Sequence, residues 1–223
     1  RYLNGMVSRF SRAGRGTDFT EFHAEIVPHV WLLTHKQQSR IFQRKTTQTI
    51  IGEVLEKAGI AKDGFRFDLS GTYNPRDYCV QYRETDWAFV SRLLEEDGIY
   101  YYFAHDHDRH VLVMSDKTTT PKISGSPELW WSAPQGFVRD QEHVTRFRVE
   151  EGIRTGKSTL RDYNLHKPDQ KMEAGDQAQL ATDIEVYDFP GEYQQLGGKT
   201  SDQGTGLAKI RLEAMQAERR RGL

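Results

Sequence analysis

The side chains best suited to chemistry cluster at His105-Asp106-His107-Asp108-Arg109-His110. Three histidines within six residues carry the nitrogen ligands that a divalent transition metal takes, and a metal-dependent hydrolase could use them. The setting opposes that chemistry. Strand-like runs flank the cluster, so it falls at a hairpin tip, where polar residues belong on solvation grounds alone. Arg109 repels a cation, and a short turn offers few groups to orient metal ligands. The cluster reads as a solvated turn.

Other candidates fail on spacing. Gly152–Ser158 (GIRTGKS) is close to a phosphate-binding loop, but Glu151 stands where the first glycine belongs and the two glycines present are one residue too near. Strand-like flanks leave no helix N-terminus to face a phosphate, so a hairpin turn is expected. Gly14-Arg15-Gly16 lacks the third glycine of a dinucleotide fingerprint, because Phe19 occupies its place; it too reads as a turn. Glu95, Glu96 and Asp97 are adjacent on a helical pattern and cannot face one cleft. They lie opposite its apolar stripe and read as a solvated face. Trp130-Trp131 could stack a base or a sugar, as in a carbohydrate-binding module, but without a basic stripe around them packing or an interface is expected. Cys79 is the only cysteine, which excludes an intrachain disulfide and any CxxC site. It sits within the alternating stretch Tyr78–Tyr82 and reads as a small buried side chain. Arg219, Arg220 and Arg221 close a helical pattern; cations in a last turn oppose the helix dipole, and phosphate binding is the alternative. No GxSxG or HExxH arrangement is present. No catalytic, cofactor-binding or metal residue is assigned.

The elements that would position these groups are mostly strands. Tyr2–Phe10 reads as one, a Gly/Arg-rich turn follows at Ala13–Thr17, and Phe22, Ala24 and Ile26 then alternate with His23 and Glu25. Pro28 interrupts that ladder, and Val30–Leu33 continues as an apolar run. A helix-rich stretch comes next. Thr46 or Thr47 caps a helix with Ile50, Ile51, Val54, Leu55 and Ala58 on one face, ended by Gly59. Past a turn at Tyr73–Arg76, Tyr78, Val80 and Tyr82 alternate as a strand. Thr85 caps a second helix, with Asp86 near its positive end, Trp87, Val90 and Leu94 on its stripe, and Gly98 as its stop. Ile99–Phe103 and Val111–Met114 form a hairpin. Thr118–Gly136 reads as a linker or long loop. Beyond it, Val144–Val149, Thr159–Tyr163 and Ile184–Phe189 suggest short strands, and a helix runs from about Leu207 to Arg219. The class is a β-rich α+β protein.

The 223 residues carry 31 Lys+Arg against 32 Asp+Glu, a net charge of −1, which provides no basic field for nucleic acid. No apolar run reaches the ~18 residues of a membrane-spanning helix, so stable membrane insertion is not expected. Hydrophobic residues make up only 36% of the chain. With Arg1 at one end and a helical pattern at the other, the chain is expected to be an interior slice of a longer subunit, packed partly against surfaces outside it.

Tyr78–Tyr102 (YCVQYRETDWAFVSRLLEEDGIYYY) resembles the signature of the VgrG family, the spike proteins of bacterial type VI secretion systems. Flanking stretches fit in order: Arg1–Phe10, Pro28–Leu33, Arg40–Gln43, His110–Val113 with Ser115-Asp116, Asp188–Tyr193 and Ala208–Glu213. Trp87, where an aliphatic residue is common, and the His-rich hairpin tip are modest departures. The resemblance implies a phage tail hub-like fold, with two β-barrel units joined by a smaller α+β part. Residues 1–37 would belong to the first barrel, 38–120 to the α+β insert, and 121–223 to a second β-rich unit ending in a helix. It further implies a homotrimer seated on the Hcp tube beside baseplate proteins, with a needle, tip protein and effectors beyond this stretch. The subunit would assemble in the cytoplasm and leave through the type VI apparatus, with no cofactor and no catalysis. A phage or prophage contractile-tail hub would share the fold. Within the motif, Arg83, Glu84, Arg92 and Glu95 are candidates for buried or intersubunit ion pairs.

Overall fold

A computed structural model describes residues 2–15, 19–117, 130–131, 143–144, 146–165, 167–191, 193 and 200–222. The chain divides into two compact units, residues 1–119 and 120–223.

The first unit opens with an antiparallel ribbon of β1 (Met6–Arg15) and β2 (Thr20–Val27). β1 runs through Gly14, which pairs with Glu21, so the turn expected from Ala13 begins later; residues 16–18 lie outside the described ones. Pro28 ends the ribbon, and Val30–Leu33 belongs to a 3₁₀ helix, His29–His35, rather than to a strand. β3 (Gln37–Lys45), unforeseen in the sequence, pairs antiparallel with β5 (Arg76–Thr85). Between them come α1 (Thr47–Lys57), a short 3₁₀ turn at Lys62–Gly64, and β4 (Phe65–Asp68). α2 (Asp86–Glu96), β6 (Tyr100–His105) and β7 (His110–Ser115) complete the unit. β7 is central in a three-stranded sheet, antiparallel to β6 and parallel to β4.

The two helices begin and end by the same local chemistry. The Thr46 hydroxyl accepts the Thr49 N–H at 3.3 Å, and the Thr85 hydroxyl accepts the Ala88 N–H at 3.1 Å. Each stops at a left-handed glycine, Gly59 at φ 94° and Gly98 at φ 68°. The following N–H groups, Ile60 and Ile99, return to the carbonyls of Leu55 and Leu94, which satisfies the last turn. The apolar faces they present, Ile50, Ile51, Val54 and Leu55 from α1 and Phe89, Val90, Leu93 and Leu94 from α2, are buried with Leu33, Phe42, Leu112 and Met114 in one core.

In the second unit, β8 (Trp130–Trp131) pairs parallel with β9 (His143–Val144). β10 (Val149–Glu151) pairs antiparallel with β14 (Arg220–Gly222). The single strand expected over Val144–Val149 is thus two short strands with different partners. β11 (Lys157–Asp162) is flanked by antiparallel β12 (Met172–Gln177) and parallel β13 (Glu185–Asp188). α3 (Thr200–Ala217) starts earlier than its apolar stripe suggests and packs Ala208 with Leu160, Met172, Ala174 and Tyr193. Most of the Thr118–Gly136 stretch, expected as a linker or long loop, lies outside the described residues. The sheets described have two or three strands each, and none of them closes on itself.

Candidate functional site

The histidine hairpin is more than a solvated turn. Asp106–Arg109 are exposed at its tip, but His110 lies in β7 and is only 9% exposed. Nδ1 of His105 accepts the Asn4 N–H at 3.0 Å, and Nε2 of His110 accepts the His29 N–H at 3.1 Å. Two nitrogens that a metal would need are therefore occupied by backbone donors, and no metal-holding cluster occurs among the described residues. Arg109 pairs with Asp63 at 3.0 Å.

Of the acidic residues at the end of α2, Glu95 is exposed as expected, whereas Glu96 and Asp97 are engaged. Arg76 of β5 reaches Glu96 at 2.5 Å and Asp97 at 2.9 Å. Arg92 reaches Glu84 at 2.7 Å and Glu96 at 3.1 Å, and also donates to the Val80 carbonyl at 3.0 Å. Glu84, Arg92, Glu96, Arg76 and Asp97 form one chain of alternating charge that binds β5 to α2. Of the four ion-pair candidates in the motif, Glu84 and Arg92 belong to this chain. Arg83 instead sits at a bulge with φ 52° and Glu95 is exposed. Arg76 and Glu96 were missed because helical spacing cannot show a partner on a distant strand.

The charge state follows from the geometry. Burial alone would lower the Arg76 pKa, but Asp97 and Glu96 reverse that and raise it. Burial raises the Asp97 pKa, against hydrogen bonds from Thr47 and Arg76. The two residues differ because Arg76 has two carboxylates, whereas Asp97 shares its one cation with Glu96. The Arg92 pKa is raised, chiefly by its hydrogen bond to Glu84. A second network sits at the start of α2: Asp86, 1% exposed, accepts from Gln81 Nε2 at 2.8 Å and from Arg40 Nη2 at 3.2 Å. Asp86 is thus a buried partner of β3 and β5 as well as an acidic residue in the first turn of α2.

Cys79 is buried in the first core, and burial raises its thiol pKa. The Gly152–Ser158 stretch is not a hairpin turn, since β10 and β11 belong to different sheets. Arg219–Arg221 do not end a helix either: α3 stops at Ala217, and β14 takes residues 220–222 into pairing with β10. There the Arg219 side chain meets Glu151 at 3.1 Å. Trp130 and Trp131 are both about two-thirds exposed.

What the surface does offer is apolar strand. Val7, Phe10, Phe22 and Ile26 are more than half exposed on the ribbon, and Phe10 stacks on Phe22 at 5.5 Å. Ile41, Tyr78 and Tyr82 are exposed on β3 and β5.

Paired strands with uncovered apolar faces thus stand beside a helix pinned by ion pairs. The chain belongs to the phage tail baseplate hub (GPD) family, which matches residues 1–223. That family is structural and not an enzyme family. The chain is 35% identical over 222 residues to the type VI secretion system spike protein VgrG1c of Pseudomonas aeruginosa, covering 98% of this chain and 30% of that protein. It is 34% identical over 225 residues to VgrG1a of the same organism, covering 99% and 34%. The chain thus spans about a third of the length of these curated relatives. Among solved structures it is similar to the Escherichia coli c3393 protein, a type VI secretion component with structural similarity to the T4 tail proteins gp27 and gp5. That match has a TM-score of 0.53 at 28% identity over 69% of this chain and 40% of that one. A tail protein from Neisseria meningitidis matches with a TM-score of 0.59 at 12% identity over 95% and 60%, a likeness of fold alone. Among the described residues no helix is long and apolar enough to cross a membrane.

Proposed function

We propose that this chain is the hub region of a type VI secretion spike and acts mechanically, without catalysis of its own. The observation that carries this reading is identity of 34–35% along nearly the whole chain to secretion spike proteins, against 12% to tail proteins that share the fold. It favours the secretion machine over a phage or prophage contractile tail. In this reading three subunits form a ring of six barrels. Residues 1–37 contribute to the first barrel, residues 121–223 to the second, and residues 38–120 lie between them. The ring seats on the Hcp tube and meets baseplate proteins, while the tip protein and effectors engage parts of the subunit beyond this stretch. The subunit assembles in the cytoplasm and is ejected on contraction. Exposed Phe10, Phe22, Ile41 and Tyr82 support a role in assembly. The near-neutral charge supports protein partners over nucleic acid. The backbone bonds held by His105 and His110 support a structural role for the hairpin over a hydrolytic one.

The test is in-frame removal of the segment encoding residues 1–223 in the source bacterium. Loss of Hcp from the culture medium, at unchanged cellular Hcp, is expected and is restored by complementation. Unchanged Hcp release overturns the reading, and loss of tailed particles on prophage induction points to the phage hub.

A further inference from the structure

We infer that His105 and His110 form an acid-released latch that fastens the β1–β2 ribbon to the β6–β7 hairpin. The ribbon packs on itself and on little else in its unit. Its two roots are Asn4, ahead of β1, and His29, behind β2. Each root gives its backbone N–H to an imidazole nitrogen of the same hairpin, Asn4 to Nδ1 of His105 at 3.0 Å and His29 to Nε2 of His110 at 3.1 Å. A ring nitrogen accepts such a bond only while it carries no proton. Protonation turns each acceptor into a donor facing a donor.

The surroundings make a charge on His110 costly. The His29 ring stacks on His110 with centroids 4.9 Å apart, and the His105 centroid lies 5.8 Å from that of His110. Protonated together, the three rings would repel one another. Phe103 meets His110 edge-on at 5.9 Å and offers no counter-charge. Asp106 accepts the His107 N–H at 2.8 Å, His107 meets Tyr2, and Arg109 is held by Asp63 from the 3₁₀ turn. Asp108 is exposed at the tip. Among the described residues, no carboxylate forms an ion pair with His29, His105 or His110.

Burial lowers the His110 pKa, and the charges of His29 and His105 lower it further, against a backbone hydrogen bond with Asn4 that raises it. A group depressed on folding contributes stability above its unfolded value, 6.5, and loses that contribution as pH falls through the folded one. Asn4 keeps a tether that does not titrate, since its side-chain amide donates to the carbonyls of Asp106 at 2.6 Å and Arg109 at 3.0 Å. Acid therefore frees the His29 root and only loosens the Asn4 root.

The test is amide hydrogen exchange on the whole chain at about pH 7.5 and about pH 5, corrected for intrinsic rates, a window that spans imidazole titration. The wild type is expected to lose about tenfold or more protection at the His29 amide in acid, and less at Asn4. The variant H105N/H110Q replaces both acceptors with amide oxygens that do not titrate, and is expected to keep its protection at both pH values. Unchanged protection in the wild type, or an equal acid loss in the variant, overturns the latch. Should the variant fail to fold, wild-type NMR decides. Asn4 and His29 amide shifts that titrate with the imidazole C–H signals of His105 and His110 support the latch, and flat shifts refute it.

Discussion

Arg76 Nη2 lies 2.9 Å from Asp97 Oδ1, and this bond ties the start of β5 to the residue that caps the carboxyl end of α2. A helix C-terminus ordinarily disfavours carboxylates. Here Glu96 and Asp97 are tolerated because Arg76 sits between them, 19% exposed. Removing one partner of a buried pair costs more than removing both. Arg76→Met strands two carboxylates and is expected to destabilise the first unit by about 3 kcal/mol, whereas Asp97→Asn leaves Arg76 paired with Glu96 and removes a charge that burial disfavours, and is expected to cost less. Chemical denaturation of the two variants, compared with wild type, checks the asymmetry; equal losses would contradict it.

Asp116 shows how a carboxylate organises a loop. Burial pushes its pKa up, but the N–H groups of Ser70 and Gly71, the Ser70 hydroxyl and the Tyr73 phenol all donate to it, and its pKa falls to about 2. A carboxylate depressed below its unfolded value of 3.8 contributes stability above that value. The contribution is lost as pH falls from about 4 toward 2. Acid denaturation of the first unit should shift to higher pH in Asp116→Asn, and a wild-type acid limb that the variant reproduces would contradict this assignment.

Gly59 and Gly98 stop their helices at φ 94° and φ 68°, a region where a Cβ is strained. Gly59→Ala and Gly98→Ala are each expected to cost about 1–2 kcal/mol. Thermal melts should show comparable losses for both, since the closing hydrogen bonds are the same. An unchanged melting temperature in either variant would contradict the shared closure.

Two glycines on α3 make a sharper comparison. A Cβ on Gly204 would lie 2.7 Å from the Ala174 Cβ and 2.8 Å from the Tyr193 ring, whereas a Cβ on Gly206 meets nothing within 4 Å. Alanine ordinarily stabilises a helix over glycine by about 1 kcal/mol. Gly206→Ala should follow that rule, and Gly204→Ala should invert it by forcing α3 off β12. The pair is read by melting the second unit, and gains in both variants would disprove the close approach.

α1, α2 and the β6–β7 hairpin were legible because their signals are local: a threonine cap, an apolar stripe, a glycine stop, a polar tip. β3 was not, since its sequence QQSRIFQRK places only Ile41 and Phe42 among polar residues, and its strand state comes from pairing with β5. β4 is four residues long, too short to show a period. Arg219–Arg221 read as the end of a helix because β10, which draws residues 220–222 into a ladder, lies some 70 residues earlier. Glu96, Asp97, His105 and His110 were misread for the same reason: Arg76, Asn4 and His29 approach from far along the chain. Glu84 and Arg92 were found because they belong to the one motif that contains both. Family membership came from the resemblance and not from any pattern of chemistry.

The pairing of β4 with β7 places residues 65–68 beside residues 112–115, with β5, α2 and β6 in the interval. The two helices carry their own start and stop signals and can form within their own segments. The parallel ladder closes a long loop, and such non-local pairing costs chain entropy before it brings any contact. β4 is therefore expected to join last, after the helices and the hairpin. A destabilised chain would open at β4 before its helices melt.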